Sequence, residues 1–249
     1  MLPSVFLTRP IAHRALHDKA AGRVENSPSA IQAAIDKGYG IEIDLQLSKD
    51  GVPMVFHDYA LNRLTNEAGA VAQRTAAELS QITLTGGTDT IPTLTEVLEQ
   101  VSGRVPLLIE IKDQDGALGA KVGPLEDATA ALLKGYKGPV AVMSFNPHSV
   151  AHMATILPDV ARGLTTCNYV AEDWPTIPKA TRERLALIPD YEMAGACFIS
   201  HQHDELDAER VAELAEMGAK ILCWTIRSTE QGKSARQIAD NITFEGYLA

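Results

Sequence analysis

The segment Ile41–Glu42–Ile43–Asp44–Leu45 alternates apolar and acidic residues. Side chains two apart on a strand share a face. Glu42 and Asp44 therefore point one way while Ile41, Ile43 and Leu45 point the other. Two carboxylates held that close repel unless something positive lies between them, and a hard divalent cation such as Mg²⁺, Ca²⁺ or Mn²⁺ prefers oxygen ligands. Taken alone, the pair could also be two solvated acids on an exposed edge. A second alternating run, Leu107–Leu108–Ile109–Glu110–Ile111–Lys112, changes the balance, because it brings Glu110 and Lys112 to one face. Three carboxylates around one cation leave coordination positions for substrate and water. Lys112 can meet a phosphate oxygen or steady Glu110.

Two histidines frame the acids. His13–Arg14 ends one strand-like run, and His57–Asp58 ends another after Phe56. Cleaving a P–O bond needs a proton moved onto the leaving oxygen and one taken off the nucleophile, and imidazole titrates where both are feasible. The guanidinium of Arg14 matches a phosphate with two parallel hydrogen bonds. Glu25, in Glu25–Asn26–Ser27, stands where it can help cap the first helix or line the site. Trp224 can form an apolar wall for a substrate backbone or belong to the core. His148, His152, His201 and His203 read as surface or structural, and His201–Gln202–His203 lacks a third spaced ligand.

Something must hold these residues at one end of a sheet. Eight strand-like runs alternate with helix-like segments: Ile11–Arg14, Gly40–Leu47, Leu107–Lys112, Val140–Phe145, Ala161–Thr166, Ala196–His201, Lys220–Ile226 and Asn241–Phe244. Pro28–Lys37 shows how the helices are bounded. Ser27 is a good N-cap, Pro28 loses nothing at the first helical position, Ile31, Ala34 and Ile35 share a face, and Gly38 supplies a left-handed stop. Repeated strand–helix units favour a parallel sheet covered by helices, and eight of them suggest closure into an α/β fold of the TIM (β/α)8 barrel type, with a doubly wound open sheet as rival. Residues 48–90 break the alternation, beginning with a turn at Ser48–Lys49–Asp50–Gly51, and read as an insertion after the second barrel strand. With no low-complexity linker, residues 1–249 are expected to form one domain.

Composition narrows the function classes. With 32 acidic and 22 basic residues the net charge is −10, so the surface as a whole repels nucleic acid and anionic membranes. A phosphate compound must then be met by a few local cations. Neither a signal peptide nor a run of ~18 apolar residues is visible. The three cysteines are scattered and form no CxxC pair, as expected of free thiols in a reducing compartment. The expectation is a soluble, cytoplasmic protein without stable membrane association.

Taken in order, His13–Arg14, Glu25–Asn26–Ser27, Glu42–Ile43–Asp44, Asp50–Gly51, His57–Asp58, Ile91–Pro92–Thr93–Leu94 and Glu110–Ile111–Lys112 resemble the glycerophosphodiester phosphodiesterase family. Ser144–Phe145, Arg162–Gly163 and Trp224–Thr225–Ile226 extend the resemblance over nearly the whole chain. It implies a TIM barrel, one divalent cation on Glu42, Asp44 and Glu110, and His13 and His57 as the acid/base pair. It further implies a small-molecule glycerophosphodiester substrate, attacked by a hydroxyl of its own glycerol and then by water. Departures stand at Ala15 in place of the glycine of an HRG triplet, at Arg227 in place of an asparagine, and at Phe244, where the family's Thr-Asp ending loses its acid. These concern the rim of the pocket and hence the alcohol preferred. Two other readings use the same residues: a barrel that binds a phosphoryl ligand without turnover, and a lysophospholipase D acting on lysolipids.

Overall fold

The computed structural model describes residues 1–249. Its strands are β1 (Ile11–Ala12), β2 (Gly40–Leu47), β3 (Pro53–Val55), β4 (Leu107–Ile111), β5 (Val140–Ser144), β6 (Ala161–Thr166), β7 (Phe198–Gln202), β8 (Lys220–Ile226) and β9 (Asn241–Phe244). All but β3 run parallel, and β1 pairs with both β2 and β9, so eight strands close into a barrel. β3 lies antiparallel on the far end of β2. The helices are α1 (Val5–Thr8), α2 (Pro28–Lys37), α3 (Ala76–Leu79), α4 (Leu94–Val101), α5 (Pro124–Leu133), α6 (Pro147–Ile156), α7 (Lys179–Ala186), α8 (Glu209–Glu216) and α9 (Thr229–Ala235).

The helix boundaries follow from local chemistry. Ser27 Oγ accepts from the Ala30 N–H at 3.3 Å, and the N–H of Gly38, at φ 71°, donates to the Ala34 and Ile35 carbonyls. The buried face of α2 is Ala30, Ile31 and Ala34, with Ile35 half-buried at its margin. On α4, Thr93 and Glu96 cap each other reciprocally: Thr93 Oγ1 accepts from the Glu96 N–H, and Glu96 Oε2 accepts from the Thr93 N–H at 2.8 Å.

Alternation along each strand divides the interior. Ile41, Ile43 and Leu45 face outward into the main core with Ala30, Ile31, Val97 and Leu125 from the helices. Inside the barrel, Ile11, Leu108, Ala141, Met143, Phe198 and Leu222 fill the floor, closed from below by Leu2 and by Phe6 of α1. Gly163 makes room for this layer, since a Cβ there would stand 2.4 Å from the Phe198 ring. An apolar floor leaves the C-terminal ends of the strands free for polar side chains, where barrel active sites form.

Residues 48–90 do form the insertion expected. They contain β3, two single 3₁₀ turns and α3, and they pack around a small core of their own that includes Met54, Phe56, Leu61, Val71 and Leu79. The first strand is shorter than the Ile11–Arg14 run suggested. Arg14 and Ala15 adopt φ of 51° and 64°, which ends β1 and turns the Arg14 N–H onto the Glu42 carboxylate at 2.7 Å. The β7 run is displaced as well, starting at Phe198 rather than Ala196.

Candidate active site

Glu42 and Asp44 from β2 and Glu110 from β4 point into the top of the barrel, with Asp44 and Glu110 as register partners. All three are buried, and one oxygen from each lies within 4.8 Å of the others. Lys112 bridges two of them, its Nζ donating to Asp44 Oδ1 at 2.7 Å and to Glu110 Oε1 at 2.5 Å. Asn26, at φ 60°, grips Asp44 from behind: its Nδ2 donates to Asp44 Oδ2 at 2.8 Å, and its Oδ1 accepts from the Asp44 N–H at 3.2 Å. Burial and the neighbouring charges of Asp44 and Glu110 push the Glu42 carboxyl well above the ordinary carboxylate range. Asp44 moves the other way. Burial opposes its ionisation, but the charges of Lys112, His57 and Arg14 outweigh that and hold it low.

The donor set fits a hard divalent cation. It offers oxygens alone, with no thiolate or imidazole among them, and its negative charge exceeds what Lys112 neutralises. No other group of three or more His, Cys, Asp or Glu side chains comes close enough to share an ion.

Each histidine is anchored through Nδ1 by a carboxylate. His13 Nδ1 lies 2.6 Å from Glu245 Oε2, and His57 Nδ1 lies 2.6 Å from Asp58 Oδ1. Behind them stand arginines. Arg227 donates to Glu245 Oε1 from Nε at 2.9 Å, and Arg63 donates to Asp58 Oδ2 from Nε at 2.6 Å. A carboxylate that accepts Nδ1–H leaves Nε2 as the nitrogen that can exchange a proton. Burial pushes the His13 pKa down against the opposing pull of its bond to Glu245. The hydrogen bond from His13, with His17 Nε2 3.5 Å away, holds Glu245 far below the usual carboxylate range. Asp58 is held low by His57 and Arg63 despite its burial.

These groups surround a cavity of about 150 Å³ whose lining is mostly polar. His13, Arg14, Glu42, Asp44, His57, Glu110, Lys112 and Trp224 all line it, so the structure brings together every residue singled out in the sequence except one. Glu25 neither lines the cavity nor caps α2. Its carboxylate accepts from Arg14 Nη1 at 2.8 Å and from both terminal nitrogens of Arg63, at 2.7 and 2.9 Å, so it orients Arg14 from outside. Arg14 lines the cavity, and its Nε, buried and 3.7 Å from Asp44 Oδ2, has no hydrogen-bond partner in the chain. Trp224 donates from Nε1 to the Ser200 carbonyl at 2.9 Å and stands edge-on to Phe145, their ring centroids 5.6 Å apart. The sequence reading missed Phe145 as a wall residue and Glu245 as the partner of His13. Phe244 stands where the family's Thr-Asp ending has its acid, and the acid that meets His13 is Glu245, one residue later. His201 faces out of the barrel, bonded to Thr166 Oγ1 at 2.8 Å and to the Glu205 carbonyl at 3.1 Å, as a structural histidine would be.

Fold and site together define a (β/α)8-barrel hydrolase of phosphoric diesters. More particularly, the chain belongs to the glycerophosphoryl diester phosphodiesterase family, whose model matches residues 13–241. It is 32% identical over 236 residues to a glycerophosphodiester phosphodiesterase of Caldanaerobacter subterraneus subsp. tengcongensis, covering 90% of this chain and 87% of that protein. Human glycerophosphodiester phosphodiesterase 1 is 28% identical over 253 residues, with 89% of this chain and 72% of the human protein covered. Among solved structures, an Oleispira antarctica phosphodiesterase in complex with the product sn-glycerol-3-phosphate superposes with a TM-score of 0.78 at 26% identity, covering 96% of this chain and 93% of that one. No helix is long and apolar enough to cross a membrane.

Proposed function

We propose that the protein hydrolyses glycerophosphodiesters to glycerol phosphate and an alcohol, with Glu42, Asp44 and Glu110 holding one divalent cation and His13 and His57 exchanging the protons. The observation that carries this reading is one cavity lined by three convergent carboxylates and two imidazoles, each imidazole anchored at Nδ1. The cation, Mg²⁺, Ca²⁺ or Mn²⁺, would neutralise charge on the phosphoryl oxygens. Arg14, whose Nε lacks a partner, and Lys112, at the cavity wall, are the protein's own donors to those oxygens. One histidine takes the proton from the attacking hydroxyl while the other gives a proton to the departing alcohol. A hydroxyl on the substrate's own glycerol is favoured as nucleophile because it is already beside the phosphorus; its attack expels the alcohol and leaves a cyclic phosphodiester, which water then opens to glycerol phosphate.

Trp224 offers an apolar face to the glycerol backbone. Because His13 and Glu245 come from opposite ends of the chain, the site needs nearly the full length of the chain as one catalytic unit. The free thiols of Cys167, Cys197 and Cys223 support a reducing, cytoplasmic setting. A small-molecule substrate is favoured over a polymer by the size of the cavity. The test is a panel of glycerophosphodiesters differing in their alcohol, with lysolipids alongside, assayed with each cation in turn. Turnover of the glycerophosphodiesters supports the reading. Binding without turnover would make this a phosphoryl-ligand binding barrel, and release of the headgroup alcohol from lysolipids alone would make it a lysophospholipase D.

A further inference from the structure

Five buried hydroxyls find no hydrogen-bond partner within the chain: those of Thr129, Ser149, Thr165, Ser200 and Thr243. The first two lie on helices α5 and α6. The other three come from β6, β7 and β9, and all three line the active-site cavity. Thr165, Ser200 and Thr243 are 2%, 0% and 1% exposed, so bulk solvent does not satisfy them. Leaving a buried hydroxyl unpaired is costly. Three on one cavity wall indicate that their partners arrive from inside the cavity.

Position says which part of a substrate this wall meets. In the closed ring β7 stands four strands from β2, so Ser200 looks across the cavity at Glu42 and Asp44. Thr165 and Ser200 are register partners on neighbouring parallel strands, which sets their backbones roughly 4.8 Å apart. Phe145 and Trp224 line the same cavity, with Met143 of the apolar floor. Hydroxyl groups interleaved with apolar and aromatic surface suit a polyol, which presents O–H edges and C–H faces by turns. A simple alkyl group would satisfy the faces and leave the hydroxyls unpaired.

We propose that Thr165, Ser200 and Thr243 form a wall that selects the polyol arm of the substrate by bonding its free hydroxyls, while the phosphate lies on the carboxylate side. The proposal rests on the phosphodiesterase reading and adds to it the residues that decide between a polyol ester and an alkyl ester. Because the wall contributes nothing to the resting fold, removing its hydroxyls should not weaken the protein.

Calorimetric titration with sn-glycerol 3-phosphate and with ethyl phosphate, both with Mg²⁺ present, tests this on the full chain and on Thr165→Val, Ser200→Ala and Thr243→Val. Each variant is expected to bind glycerol phosphate about tenfold more weakly, the loss of one hydrogen bond, to bind ethyl phosphate unchanged, and to keep or raise its Tm without ligand. Thr165→Ser and Thr243→Ser, which retain the hydroxyl, should bind both esters as the unaltered protein does. Unchanged glycerol phosphate binding would overturn the wall, and so would equal weakening of both esters together with a lower Tm. If the unaltered protein binds neither ester, the phosphodiesterase reading itself falls. If it binds both equally, only the selection by the wall falls.

Discussion

His13 and Glu245, 232 positions apart in the chain, meet through a 2.6 Å contact between imidazole Nδ1 and carboxylate Oε2. The first and last strands of the barrel thus converge on one ring. Glu245 is itself held by Arg227, whose Nη2 lies 2.8 Å from Oε1, so the ring is oriented by a rigid partner. This also gives a role to Arg227, one of the departures noted in the sequence.

Glu245→Gln should therefore act through His13. Burial lowers the His13 pKa and the Glu245 bond opposes that, so losing the carboxylate leaves burial less opposed and the pKa falls further. The limb of log(kcat/KM) against pH that belongs to His13 is expected to move to lower pH, with a loss in kcat/KM of roughly 10–100-fold. A profile that keeps its shape and position would show that Glu245 does not tune the ring.

His13→Ala and His57→Ala should each lower kcat by roughly 10²–10⁴-fold, the usual contribution of a positioned acid or base. Both rings are partly exposed, at 14% and 28% of the side chain, so neither supports the core. Tm and calorimetric cation binding are expected to stay near those of the unaltered protein. Near-normal turnover in either variant would remove that histidine from the chemistry.

Exhaustive chelation should abolish activity, and Mg²⁺, Mn²⁺ or Ca²⁺ should restore it. A second readout does not depend on turnover. Glu42, Asp44 and Glu110 crowd together in a buried site, so a cation that binds only the folded chain stabilises it by about 2.7 kcal/mol at a hundred times its Kd. Tm should rise with cation concentration in the intact protein and respond much less in Asp44→Asn. Full activity after chelation would exclude the cation mechanism.

The parts legible in the sequence are those whose signal is local. The alternation at Glu42–Asp44 and Glu110–Lys112 announced inward-facing acids because each run is uniformly apolar on its other face. α2 and α4 begin and end where their caps stand, at Ser27 and Gly38 and at Thr93. α9 was not foreseen. Its sequence, Thr-Glu-Gln-Gly-Lys-Ser-Ala, carries a mid-helix glycine and no apolar stripe, and it is held by a Ser228 cap and by packing of Gly232 and Ala235. Gly232 packs closely there: a Cβ would meet the Tyr247 hydroxyl at 3.2 Å and the phenol would have to shift to admit it. Glu25 offered either a helix cap or a lining residue, and its carboxylate instead pairs with Arg14 and with Arg63 of the insertion, a partner distant in sequence. The pairing of His13 with Glu245 is set by barrel closure, which joins residues that no sequence window contains.

His201 provides a test of stability rather than catalysis. It is 3% exposed, and burial brings its pKa down from 6.5 to about 4. The groups facing it do not reverse that: Thr166 Oγ1 and the Glu205 carbonyl take up its two nitrogens, and Asp204 supplies only a smaller raising influence. In the unfolded chain the ring takes up its proton near the ordinary value, while in the folded chain it stays neutral until the pH is much lower. The unfolded state therefore binds more protons throughout this window, and stability falls as pH falls through it. Between about pH 7 and pH 5 the loss should be about 2 kcal/mol. His201→Gln keeps a hydrogen-bonding side chain but cannot titrate. Its unfolding free energy, measured by urea denaturation, should be lower than that of the unaltered protein near neutrality yet decline less on acidification, by about the same 2 kcal/mol. Parallel declines in the two proteins would mean that the ring carries a proton in the folded state as readily as in the unfolded one, and that its burial between β7 and the segment after it does not exclude charge.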